Sequence, residues 1–167
     1  MTNPPAASAP ARPDYGDLDQ QLAALLGGES DPVANAANTA ALIFHQVPGL
    51  NWAGVYFAQP DGSLLLGPFQ GKPACVRIGP GQGVCGAAAA RRATVRVDDV
   101  HAFPGHIACD AASRSELVIP LLDGGRLLGV LDLDSPLPAR FDALDQAGLE
   151  RLAHRYVAAS AARSAGG

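Results

Sequence analysis

The sequence predicts an α+β domain, a central antiparallel sheet of about six strands packed with helices from both ends of the chain. Three observations lead there. Apolar residues recur every three or four positions only towards the two ends, the middle is a series of short β-rich segments, and tight turns such as Pro60-Asp61-Gly62-Ser63 and Asp123-Gly124-Gly125 join those segments as hairpins. A chain of 167 residues holds one such domain with a sizeable core and little else.

Residues 1–13 carry four prolines and almost nothing that could be buried, so they read as a disordered tail and leave 14–163 as the domain. From Tyr15 to Leu26 the positions Leu18, Leu22, Leu25 and Leu26 follow helical spacing, and Gly27-Gly28 ends the run. A second helix starts at Pro32 behind a Ser30 or Asp31 cap. Its apolar stripe is Val33, Ala36, Ala37, Ala40, Ile43, Phe44 and Val47, up to Pro48-Gly49. The period then becomes strand-like. Strands are expected over 51–58, 64–70 and 74–78, then a small helix near 84–91 behind the glycine-rich loop 79–83, and a strand over 94–97. An irregular connection from Asp98 to about Ser115 follows, long enough to suggest function. Two strands, 116–122 and 126–133, close the sheet. The last helix runs from Asp142 to Ala162, with Leu144, Leu149, Leu152, Tyr156 and Val157 as its buried stripe.

The formal charge is −4, and the 12 basic residues form no run longer than Arg91-Arg92, which argues against a nucleic-acid surface. No N-terminal apolar stretch could serve as a signal peptide or cross a bilayer, so no membrane association and a cytoplasmic location are expected. In that reducing compartment the three cysteines, at 75, 85 and 109, are reduced bystanders, metal ligands or redox catalysts.

Cys109 sits among Asp, Ser, Arg and His in the stretch Gly105 to Glu116, a segment too small and polar to be core, and reads as a reactive thiol. In Leu131-Asp132-Leu133-Asp134, alternation sends both leucines to one face and both aspartates to the other. Glu116 opens the neighbouring strand, so three carboxylates converge near Cys109, or else form an acidic solvated face. Trp52, Gly54 and Tyr56 share a face as well, either walling a pocket or packing in the core. An aromatic wall beside carboxylates suits a small ligand with an ammonium group, and one carboxyl held protonated by its neighbours could act as an acid. The loop 79–83 offers N–H groups to an anion or is a plain turn. His106, Cys109, Cys75 and Cys85 contain the donors of a Cys₃His zinc site, but no close Cys–Cys pair anchors one, and no metal is expected.

The segments Asn51-Trp52-Ala53-Gly54-Val55-Tyr56, Leu66 to Lys72, Ala74-Cys75-Val76-Arg77-Ile78, Gly83-Val84-Cys85-Gly86, Asp98-Asp99-Val100-His101, Gly105 to Ser113 and Gly129 to Ser135 closely resemble the free methionine-(R)-sulfoxide reductases, which are built on a GAF domain. The likeness covers about residues 15–157. It implies a GAF-like fold and the reduction of free L-methionine (R)-S-oxide, with Cys109 attacking, Cys75 resolving and Cys85 as an alternative or accessory resolving cysteine. It also implies that Trp52, Tyr56, Glu116, Asp132 and Asp134 hold the substrate. The expected route leads through a sulfenic acid and a disulfide, restored by thioredoxin or a similar dithiol, with no metal or organic cofactor. Members of this family tend to pair as homodimers. A ligand-binding GAF sensor without chemistry and a thiol redox switch are the alternative readings.

Overall fold

A computed structural model describes residues 8–107 and 109–161. Residues 1–7 of the expected tail, Ala162 of the expected last helix and the domain end at 163 lie outside the described residues. The elements are α1 (Tyr15–Leu26), α2 (Pro32–Gln46), β1 (Trp52–Ala58), β2 (Leu64–Gly71), β3 (Arg77–Ile78), α3 (Gly83–Arg91), β4 (Val95–Val97), β5 (Ser115–Asp123), β6 (Arg126–Ser135) and α4 (Ala143–Ala161), with a 3₁₀ turn at Val100–Ala102 inside the long connection. The six strands form one antiparallel sheet in the order β3-β2-β1-β6-β5-β4. Among the described residues no helix is long and apolar enough to cross a membrane.

The sheet has two covered faces, and strand alternation assigns residues to them. Ala53 and Val55 of β1, Leu117 and Ile119 of β5, and Leu131 and Leu133 of β6 pack with α1, α2 and α4 into the larger apolar cluster. Trp52, Tyr56, Val118 and Val130 point the other way and meet Val84, Cys85 and Ala88 of α3. The leucines of β6 do meet the helices, and the aspartates between them face α3.

Local chemistry sets the helix ends. Asp31 caps α2 by accepting from the N–H groups of Val33 and Ala34, at 2.9 and 3.0 Å, with Pro32 in the first turn. Asp14 caps α1 through Asp17 N–H. Arg12 pairs with Asp142 and lies 3.9 Å from Asp145, tying the segment before α1 to the start of α4.

Several expectations fail in detail. Leu25, Val33 and Leu144 are exposed, as is Ala37, because each lies to one side of the column of its helix that packs against the rest of the domain. On α4 the position next to Leu144 is instead taken by Asp145, which is buried, accepts from Tyr15 Oη at 2.7 Å and pairs with Arg140 at 3.1 Å. On α2 the buried column includes Asn35 and Thr39, both with hydrogen-bond partners. The third strand is only Arg77–Ile78, since residues 72–76 leave the sheet after β2 to carry Cys75 across to the long connection.

Candidate active site

Cys75 and Cys109 are joined in a disulfide with their Cα atoms 5.8 Å apart. One sulfur comes from the segment between β2 and β3, the other from the long connection before β5. The connection is pinned at its far end, where Arg114 N–H donates to Ser135 O and Val100 N–H to Arg114 O, at 2.7 and 2.8 Å. Cys109 is exposed, and both sheet-borne acids and aromatics share a cavity with it.

Strand register builds the floor. Glu116 of β5 stands opposite Asp134 of β6, and Asp132 stands between Val118 and Gly54. All three carboxyls therefore project from one face, and Glu116 and Asp132 are each only 6% exposed. The sulfur they meet is that of Cys85, presented by α3, whose Sγ lies 3.9 Å from Glu116 Oε1. Cys109 lines the same cavity, bonded to Cys75. The convergence expected near Cys109 is thus centred on Cys85.

Such crowding favours protonated forms. Burial, then the charges of Asp132 and Asp134, push the Glu116 carboxyl well up; burial, then Asp132 and Asp110, do the same to Asp134. Asp132 is raised by burial too, but hydrogen bonds from Glu116 and Cys85 work against that, so it is the member best able to hold a charge. The Cys85 thiol is pushed well up by burial and then by the three acids, which keeps its proton on. Asp132 lines the cavity, and its Oδ1 is buried with no partner.

Trp52 and Tyr56 wall this floor. Their rings stack with centroids 5.8 Å apart, and Phe69 of β2 also stacks with Trp52, at 5.3 Å. Gly54 makes this possible, because a Cβ there would stand 2.6 Å from the Trp52 ring. Both polar tips serve the cysteine-bearing segment: Trp52 Nε1 donates to Lys72 O and Tyr56 Oη to Cys75 O, each at 3.1 Å. The cavity lies beside the N-terminus of α3, where Gln82 and Gly83 line it. In the glycine-rich loop the Gln82 side chain accepts from Gly79 N–H at 3.2 Å, closing a turn.

His106 also lines the cavity; its Nδ1 is buried without a partner, and burial, then His101, lowers its pKa. The sulfurs of Cys75 and Cys109 are bound to each other, so the Cys₃His set does not assemble. Among the described residues, the ligand atoms of Cys85, Glu116 and Asp132 do lie within 4.8 Å of one another and have the spacing to hold a cation. Four contributors fall within the segments that carry the family resemblance but have no role assigned to them from the sequence. Phe69 sits on a strand with no alternation to single it out, and Asn51, Asp110 and Ser113 are polar residues whose only signal is adjacency to Trp52 and Cys109.

Known proteins share this fold. The GAF domain family matches residues 32–159. The free methionine-R-sulfoxide reductase of Escherichia coli (strain K12) is 51% identical over 138 residues, covering 83% of this chain and 83% of that protein. Among solved structures, the free methionine-R-sulfoxide reductase of Neisseria meningitidis in complex with its substrate is 45% identical with a TM-score of 0.86, covering 90% of this chain and 91% of that one. The fRMsr of Staphylococcus aureus in complex with substrate is 42% identical with a TM-score of 0.85, covering 89% of this chain and 97% of the other.

Proposed function

Because the chain belongs to the GAF-domain family and, within it, to the free methionine-(R)-sulfoxide reductases, we propose a mechanism in which its own two thiols reduce free L-methionine (R)-S-oxide to L-methionine. The observation that carries it is the joining of Cys75 to Cys109 at a cavity floored by three carboxyls, of which Glu116 and Asp132 are buried and Asp134 half-buried.

Cys109 Sγ attacks the sulfoxide sulfur while Asp134 or Glu116, both held in the acid form by their surroundings, protonates the sulfoxide oxygen. The oxygen ends on Cys109 as a sulfenic acid and methionine leaves as a thioether. Cys75 then attacks the Cys109 sulfur; the S–S bond forms, the S–O bond breaks, and the oxygen departs as water. The sum is sulfoxide plus two thiols giving thioether, disulfide and water, so the electrons balance. Asp132, with its free buried oxygen, receives the substrate ammonium, and the Trp52 and Tyr56 rings flank the apolar side chain.

Cys85 is the accessory thiol, and its burial with the acids supports a reserve role. Thioredoxin or a similar dithiol reopens the disulfide by exchange, with exposed Cys109 as the sulfur within its reach. The proposed setting is the cytoplasm, where such reductants operate, and the proposed assembly is the homodimer that the family resemblance implies.

The test is thioredoxin-coupled NADPH consumption with free R sulfoxide, free S sulfoxide and a peptide-bound sulfoxide. Turnover is expected with the first alone and is expected to stop in Cys109→Ser. Turnover that survives this change overturns the assignment; tight sulfoxide binding without turnover in the wild type would make the protein a sensor.

A further inference from the structure

The amide of Asn51, the residue just before β1, bridges to the turn that follows Cys109. Its Nδ2 donates to Asp110 Oδ2 and to Ser113 Oγ, both at 3.1 Å. A carboxylate only accepts, so the amide orientation is forced and Oδ1 faces the other way, where it is buried and finds no partner. Retaining a buried unpaired acceptor is unfavourable, and an apolar residue here would avoid that cost. The two bonds made by Nδ2 are what this side chain contributes in return.

Its neighbours give those bonds meaning. The Asn51 N–H donates to Asp134 O at 3.0 Å, fixing it to the strand that carries the acids, and Trp52 follows it directly. On the other side Asp110 adjoins Cys109 and holds the turn in shape, accepting from Ala112 N–H through Oδ1 at 2.9 Å, while Ser113 is only 5% exposed. One residue therefore joins the aromatic wall and the acid strand, through its backbone, to the turn after Cys109, through its side chain. Opening the disulfide removes the covalent tether from Cys75 to Cys109, which leaves the Asn51 bridge as a non-covalent link between the Cys109 turn and the sheet.

We propose that Asn51 is a positioning residue for Cys109, clamping its turn to β1 through Asp110 and Ser113 so that the thiol stays in line with the bound sulfoxide and with Cys75. This rests on the reductase reading for its kinetic consequence, but not for its effect on the thiol pair. Asn51→Ala should lower kcat about tenfold, the size expected for losing two hydrogen bonds of which one is charge-assisted, with KM within about twofold of wild type. In a glutathione redox buffer, the equilibrium constant for closing the Cys75–Cys109 disulfide should fall by a similar factor.

The discriminating variant is the swap. Asn51→Asp alone places two carboxylates together and should be the worst. Asn51→Asp combined with Asp110→Asn restores a donor facing an acceptor, leaves the new amide oxygen at position 110 to accept from Ala112 N–H, and lets Ser113 Oγ donate to the new carboxylate at position 51. It should recover most of both kcat and the disulfide equilibrium. Wild-type values of both in Asn51→Ala, or a swap no better than Asn51→Asp, would overturn the proposal. A wild type inert towards the sulfoxide would sink the reductase reading, yet the redox-buffer measurement would still decide on Asn51.

Discussion

The Tyr56 hydroxyl donates to the carbonyl oxygen of Cys75 at 3.1 Å, so a ring that walls the cavity also steadies the peptide of Cys75, the proposed resolving residue. Tyr56→Phe keeps the ring and removes this bond, which has a net worth of about 1 kcal/mol. Disulfide closure is expected to slow about fivefold, while sulfoxide consumption in a single turnover is little changed. Trapping the Cys109 sulfenic acid with dimedone and following it by mass spectrometry measures the step directly. Equal trapping in variant and wild type would refute it.

Asp132 is the carboxyl best able to carry charge and the one with a free buried oxygen. In the proposed binding mode Asp132→Asn keeps the shape but loses a charge-assisted hydrogen bond to the ammonium, so KM for methionine sulfoxide should rise about tenfold or more. N-acetylmethionine sulfoxide, which has no ammonium, should be a poor substrate for the wild type and should lose far less on this substitution. Steady-state kinetics with both compounds checks the pair.

Glu116 and Asp134 have carboxyls pushed up by burial and by their acidic neighbours. A group whose pKa is higher folded than unfolded contributes stability that is complete below its unfolded pKa and is lost as pH rises through the folded value. The ligand-free protein should accordingly become less stable as pH climbs above about 4, the ordinary carboxylate range. Glu116→Gln should flatten that slope and raise Tm at neutral pH, by about 2–4 °C for each kcal/mol relieved in a domain of this size. Thermal melts across pH provide the check, and parallel slopes for the two proteins would contradict it.

The three thiols should differ sharply in reactivity once the disulfide is reduced. Cys85 is 4% exposed and its proton is held by burial and three acids, so it should be alkylated by iodoacetamide far more slowly than exposed Cys109. Peptide mapping after timed quenching reads this. Cys75→Ser should still release close to one methionine per chain from excess sulfoxide but fall well short of wild type under continuous turnover. Full steady-state activity in Cys75→Ser would transfer the resolving role to Cys85.

Much of this arrangement is visible in the residue pattern alone. Alternation in Leu131-Asp132-Leu133-Asp134 is enough to put the acids on one face, because a strand has a period of two whatever its neighbours do. Helix faces are less legible: Val33 and Ala37 match the apolar spacing of α2 as well as Ala36 and Ala40 do, and only packing on the sheet selects between the columns. The same limit hides the fact that α3 turns Cys85, rather than the loop turning Cys109, onto Glu116. Asn51 goes unmarked because its partners lie 59 and 62 residues away, a distance no local pattern spans.

The strict division of β6 between its two faces makes it intolerant of insertions. One extra residue before Leu131 would rotate the remainder of the strand by half a turn, driving two carboxylates into the layer beneath the helices and two isobutyl groups into the catalytic chamber. Folding and chemistry would then fail together, so this strand cannot change in length without loss of both.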